Sequence, residues 1–357
     1  MTIDLADRAE KRAAFAALAG TLLLAEPGPA LREHVAGVPA LAALTSAATA
    51  VDFERIFLRS VQPYESVFRS DTAERGGAVA LRVADTYDEL GFDEYRTQRW
   101  RVAGPDHLGL ELRAHAAVIA LEAAAWRGER PDEAARHVET ERRFFADHLA
   151  WWGQVALDAL GEVATGTPYA PLVDEVSTFL AEEIDLLRPL PLLDTSQLPE
   201  VHALGAMGPS RLARHLLAPA RSGIWLATQH IAVAAGALGF PWRPMDGRQN
   251  LTPLVAAAFD AGEIAELVTP WIELTRSTRA SHLRRADEQP GAEVAWRHAA
   301  HLAEATLRRL ETLGESALDA RADDEIVVRI AGADVHAAVD VLRARGFSVD
   351  VLAETGD

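Results

Sequence analysis

Residues 105 to 115 read Pro-Asp-His-Leu-Gly-Leu-Glu-Leu-Arg-Ala-His, and several of them carry groups that can do chemistry. His107, Glu111 and His115 follow one another at four-residue steps, which on a helix sets two imidazoles and a carboxylate along one edge. Such an edge can ligate a metal, so a helical metalloenzyme using His107, Glu111 and His115 is one expectation. Motif support for it is thin: the chain has no His-Glu-x-x-His and no Glu-x-x-His, the pattern that four-helix di-metal sites use twice. Pro105 and Asp106 also read as a helix start. Proline is tolerated in a first turn, and a carboxylate there meets free amide groups and the positive end of the helix dipole.

Other chemistries are removed by composition. The chain has no cysteine, which excludes disulfides, iron-sulfur ligation, thiolate zinc sites and a cysteine nucleophile. Lys11 is its only lysine, so a phosphate-loop lysine or a Schiff-base lysine has no place in the folded body. Ser222 lacks the glycine two residues before it that a nucleophile elbow needs, and reads instead as the cap of a helix from 223. No Gly-x-Gly-x-x-Gly is present. The expectation is a protein that is not an enzyme and holds no cofactor and no metal of its own.

A net charge of -18, with no Lys/Arg cluster beyond two or three residues, argues against nucleic acid and for a basic partner. Acids and aromatics interleave in two stretches. Gln62 to Asp71 sets Tyr64 and Phe68 four apart, and Ala84 to Trp100 gathers Asp85, Asp88, Glu89, Asp93 and Glu94 beside Tyr87, Phe92 and Tyr95. That pattern suits a groove for a peptide carrying arginines and an apolar stretch. A blander alternative is a helical scaffold that binds a basic protein segment.

The elements that must position these residues are helices. Alanine and leucine recur at three-and-four spacing from Ile3 to about Gly314. The pattern predicts helices over 3–25, 31–48, 51–61, 72–90, 106–127, 132–164, 170–187, 210–217, 223–238, 249–261, 263–285 and 291–319. At 357 residues, more than one core is expected. The proline- and glycine-rich stretch 191–209 reads as a linker between a helical domain over 1–190 and a second over 210–320. From 321 to 357 the character changes: Glu325 to Ile330 and Phe347 to Leu352 are β-branched runs around an amphipathic stretch, predicting a small β-α-β tail. Two strands alone are marginal, so the tail is expected to pack on the body or to pair with another chain, which makes a homodimer one candidate assembly.

The apolar run Phe15 to Ala25 follows Asp4, Asp7 and Glu10, the wrong charge for a secretory signal. Gln229 and His230 interrupt the longest apolar stretch, so no membrane insertion and a cytoplasmic location are expected.

Four segments in order, PYESVF (63–68), DTYDELGF (85–92), PDHLGLEL (105–112) and ERRFFADHLAWW (141–152), resemble the TorD/DmsD/NarJ group of redox-enzyme maturation chaperones. The resemblance covers roughly residues 50 to 190, and Pro-Asp-His-Leu followed by Glu-Leu is its most specific piece. It implies an all-α bundle over 1–190. Such a protein would bind the twin-arginine signal peptide or N-terminal segment of a molybdopterin oxidoreductase catalytic subunit during cofactor insertion. On that resemblance the peptide-binding candidates are Tyr64, Phe68, Tyr87, Asp88, Pro105, Asp106, His107 and Glu111. The family often has a glutamate before the proline, where this chain has Ala103-Gly104. Residues 211 to 241 resemble the extension of longer members of the group.

Overall fold

The structure, a computed structural model, describes residues 2–46, 49–70, 72–97, 104–188, 208–240, 250–290 and 293–323. The chain divides into two compact units, Met1–Ala317 and Leu318–Asp357. In order, the helices are α1 (Thr2–Leu24), α2 (Pro29–Ala36), α3 (Thr49–Phe53), α4 (Glu65–Arg69), α5 (Gly77–Leu90), α6 (Leu108–Arg127), α7 (Pro131–His148), α8 (Gly153–Ala164), α9 (Ala170–Leu186), α10 (Pro209–Leu217), α11 (Pro219–Ser222), α12 (Thr228–Ala237), α13 (Leu251–Asp260), α14 (Ile264–Glu288) and α15 (Glu293–Asp323). Short 3-10 turns lie at Pro39–Thr45 and Glu94–Arg96, and a π turn at Glu54–Ser60. No strand occurs among the described residues, and the all-α expectation stands. The β-α-β tail expected over 321–357 falls outside them except for 321–323, which end α15; the linker over 191–209 falls outside except for 208–209. No helix of the described residues is long and apolar enough to cross a membrane.

Helix α6 forms the axis of the N-terminal helices. Alanine, the strongest helix former, recurs on α1 at Ala6, Ala9, Ala16 and Ala19, all buried, and this small-residue face lies on α6. At the crossing the two backbones nearly touch: a Cβ on Gly20 would sit 2.5 Å from the Gly109 carbonyl oxygen, and one on Gly109 2.7 Å from that of Gly20. Buried apolar side chains form two main clusters. One is built from α1 to α9 together with Trp225, Ala227, Ala286 and Trp296. The other comes from α10 and α12 to α15 with Ile224 and Leu226.

Several helices differ from the sequence pattern, each for a local reason. The expected 132–164 helix is broken at Leu149–Trp152, where fully buried Trp152 turns its indole N–H to the His148 carbonyl and, at 3.2 Å, to Glu111 Oε2. Pro39 restarts the chain as a 3-10 turn inside the expected 31–48 helix. Gly76 and Gly77, at φ 94° and 68°, delay the 72–90 helix to Gly77. The 223–238 helix begins only at Thr228. Gly223, at φ 67°, ends α11, and Ser222 Oγ bonds back to the Ala218 carbonyl (3.0 Å) rather than capping a following helix.

Candidate functional site

The segments around Tyr64 and His107 meet as a two-residue antiparallel bridge. Leu108 N–H donates to the Pro63 carbonyl (2.8 Å) and Glu65 N–H to the Asp106 carbonyl (2.8 Å), while the Tyr64 and His107 rings pack edge to face at 4.9 Å. The capping duties differ from those expected of Pro105-Asp106. His107, in extended conformation, is the residue that caps α6: its Nδ1 accepts the Gly109 N–H at 3.0 Å, which leaves the proton on Nε2. Asp106 serves the other helix, its Oδ2 accepting the Ser66 N–H of α4 at 2.9 Å. Tyr87 donates its hydroxyl to the Pro105 carbonyl at 3.0 Å.

Behind this turn lies a buried polar cluster. Glu65 pairs with Arg69 and, at 3.1 Å, with His148 Nδ1, whose other ring nitrogen meets Thr86 Oγ1 at 3.0 Å. Burial pushes the Glu111 carboxyl well above its ordinary range, and the nearby charges of Glu65 and Asp106 push it further. Glu111 therefore favours its protonated, neutral form. Burial also raises Asp106 against the lowering effect of its bonds at Ser66, and lowers His107 to about 3. His107 is accordingly a neutral imidazole at physiological pH.

Of the eight candidate peptide contacts, Tyr64, Phe68, Tyr87, Asp106, His107 and Glu111 are buried, between 0 and 6% exposed; Pro105 is half-buried and Asp88 exposed. Six of the eight therefore lie inside the helical packing and do not form one exposed face. The period of a helix tells which residues share a face, but on α6 the polar face points inward. What does face solvent is the acid component: Asp85, Asp88, Glu89 and Asp93, with Asp88 held by Tyr95 (2.9 Å) and Arg96 (2.6 Å).

The metal-binding alternative is also redrawn. His115 does not converge with His107 and Glu111; its Nε2 lies 3.0 Å from Glu183 Oε2 on α9 and 3.8 Å from Glu141 on α7. Among the described residues His115, Glu141 and Glu183 are close enough to hold an ion, their ligand atoms within 4.8 Å of one another. A cation already sits there: Arg12 of α1 donates to both oxygens of Glu183, to Glu141, and at 3.2 Å to Glu122 of α6. Burial works against the Arg12 charge, but its carboxylate partners outweigh burial and raise the pKa. Burial likewise opposes the Glu183 charge, yet Arg12 and His115 hold its pKa low, whereas burial drives Glu141 up. One fixed arginine thus ties four helices together where a metal would have to go.

A cavity of about 20 Å³ lies beside Phe68, Trp151, Trp152 and Val155, closed from the other side by α11 and α15. It has room for about one water molecule. The two tryptophans and Val155 were not among the sequence candidates. The signal was present in the doubled tryptophan ahead of Gly153, which marks a helix break lined with large apolar groups.

The described residues form helices whose buried acids and histidines bond one another, with an apolar cavity beside Phe68. Residues 12–157 match the family described as nitrate reductase delta subunit, a NarJ/TorD-type chaperone family. No curated protein and no solved structure matches the chain.

Proposed function

We propose that the protein is a cytoplasmic chaperone that holds the arginine-bearing N-terminal segment of a molybdopterin oxidoreductase catalytic subunit while cofactor is inserted. The observation that carries this reading is the family match over residues 12–157, which spans both halves of the Tyr64–His107 bridge. The buried turn acts as the frame. It fixes α4, α5 and α6 against one another, and α5 carries Asp85, Asp88 and Glu89 on its exposed side.

Energetics assign different tasks to the two parts. Exposed arginine-carboxylate pairs contribute about 0.2 to 1 kcal/mol each, too little to hold a flexible segment. Burying roughly 400 Å² of apolar peptide at about 25 cal/mol per Å² gives on the order of 10 kcal/mol before ordering costs. The acids steer and orient, and apolar contact holds.

Calorimetry of the full chain with synthetic peptides tests this. A peptide with two arginines followed by an apolar stretch is expected to bind with a negative heat-capacity change. Replacing the arginines by lysines should weaken binding a few-fold; replacing the apolar stretch by serines should abolish it. Binding that survives loss of the apolar stretch refutes the assignment.

A further inference from the structure

Between α11 and α12 the chain runs without helix through Gly223-Ile224-Trp225-Leu226-Ala227, and Ile224 to Ala227 are 0 to 5% exposed. Their side chains alternate. Trp225 and Ala227 enter the apolar cluster of α1 to α9, and Ile224 and Leu226 the cluster of the later helices. Period-two alternation between two apolar layers is how an extended peptide is held when both of its faces are buried.

The Trp225 ring lies flat on Phe68, centroids 5.1 Å apart and planes 16° from parallel, and Phe68 in turn leans on Trp152 at 5.8 Å. The cavity beside Phe68 and Trp152 continues along the same face, where Pro219, Ala220 and Gly223 leave it unfilled. The segment is anchored to the later helices. His282 Nε2 of α14 donates to the Gly223 carbonyl at 2.9 Å, and Gly223 is pressed so closely onto α15 that a Cβ there would fall 2.4 Å from Ala303 N. Toward α4 the Trp225 ring stacks on Phe68. Around it, two side-chain contacts at the edge join α8 to the later helices: a hydrogen bond between His230 Nε2 and Glu162 at 2.5 Å, and the Arg285–Asp158 ion pair.

We propose that the Phe68–Trp152 face is the seat of the client's apolar stretch, and that Gly223–Ala227 occupies it at rest as an internal stand-in which the client displaces. This rests on the chaperone reading above. The stand-in also specifies the client: an extended stretch with a large apolar residue on Phe68, a small residue two positions on, and no charge between. Phe68, a candidate contact that is buried at rest, becomes a contact once Trp225 leaves. A resident segment lowers apparent affinity by the fraction of molecules in which it is in place, so loosening it strengthens binding and locking it weakens binding.

The chain has no cysteine, so a cross-link can be placed cleanly. Asp158→Cys with Arg285→Cys, joined by a short bis-maleimide, locks the edge. The probe is a fluorescent peptide of two arginines followed by Ile-Trp-Leu-Ala, titrated by anisotropy into full-length protein. Trp225→Ala is expected to bind it about tenfold more tightly than the parent, and the stapled protein about tenfold more weakly than the same variant before stapling. Peptide should also speed amide exchange of Trp225 and Leu226 in the parent. Unchanged affinity on stapling, with those amides still protected, overturns the displacement and leaves the chaperone reading intact. If neither the parent nor any variant binds the peptide, the chaperone reading falls and this inference with it. Should Trp225→Ala fail to fold, Trp225→Leu and the staple decide the matter.

Discussion

His107 links capping, burial and protonation in one side chain. Its Nδ1 takes the Gly109 amide, and burial lowers its pKa from 6.5 to about 3. Below pH 6.5 the unfolded chain binds a proton that the folded chain refuses, so stability is lost as pH falls from 6.5 toward 3. From those two values the histidine alone removes about 2 kcal/mol between pH 7 and pH 5. Asparagine at this position keeps an acceptor for the cap but has no such proton. In urea titrations, the gap between parent and His107→Asn should therefore shrink by about that amount between pH 7 and pH 5. A gap that stays constant would show that His107 is reached by solvent. Asp106 is tested by a pair of substitutions. Asp106→Ala removes the acceptor for Ser66 N–H and is expected to cost about 1 to 2 kcal/mol, while Asp106→Asn keeps it and should cost less than half of that. Equal losses in the two denaturation midpoints would place the value of Asp106 in its charge.

Among the elements, the α1–α6 crossing makes the sharpest demand on sequence. With Gly20 and Gly109 back to back, Gly20→Ala forces a methyl into the Gly109 carbonyl and should cost about 1 to 3 kcal/mol. Gly28→Ala is the control, since nothing lies within 4 Å of the added carbon. Thermal melts of the two variants should separate clearly, and a Gly20→Ala protein as stable as the control would mean that the helices can part. How much of this was legible follows the range of each cause. The register of α6 could be read because its apolar residues repeat along the chain, and the turn at Pro105–His107 could be found from its residue types. That Glu111 and His115 face inward could not, because their partners Trp152 and Glu183 lie 41 and 68 residues away. The break between α7 and α8 left a local trace in the doubled tryptophan ahead of Gly153, while the bond from Trp152 to Glu111 that accompanies it spans 41 residues. At Gly223 the signal was local, a glycine after a serine, yet the apolar run behind it reads equally as a helix or as a buried extended strand.

At the scale of the molecule, the N-terminal bundle is held by charge as well as by packing, and the Arg12 network shows which matters more at a given pH. Arg12 reaches Glu122 on α6, Glu141 on α7 and Glu183 on α9, and His115 closes the ring. Arg12→Met keeps much of the apolar stem but leaves the Glu183 carboxylate buried without its cation, a loss of about 3 to 5 kcal/mol at neutral pH. The sign with pH follows from the shifts. In the parent, Glu183 titrates near 2 when folded and near 4.5 when unfolded, so its contribution is complete above pH 4.5 and fades as pH falls through 2. Without Arg12 only His115 still opposes burial, so the folded pKa of Glu183 rises and the variant loses stability relative to the parent as pH rises and Glu183 is made to ionise. Glu141, raised by burial to about 9, stays protonated in both proteins over this range, so its own pH dependence cancels in their difference. The difference between parent and Arg12→Met in urea titrations is thus expected to be small near pH 5 and to widen toward pH 8. The double variant with Glu183→Gln, which cannot ionise, should recover most of the loss at pH 8 and little at pH 5. A difference of the same size at both pH values would mean that Arg12 contributes through its packing, and the network would then be a consequence of the bundle's assembly and no cause of it.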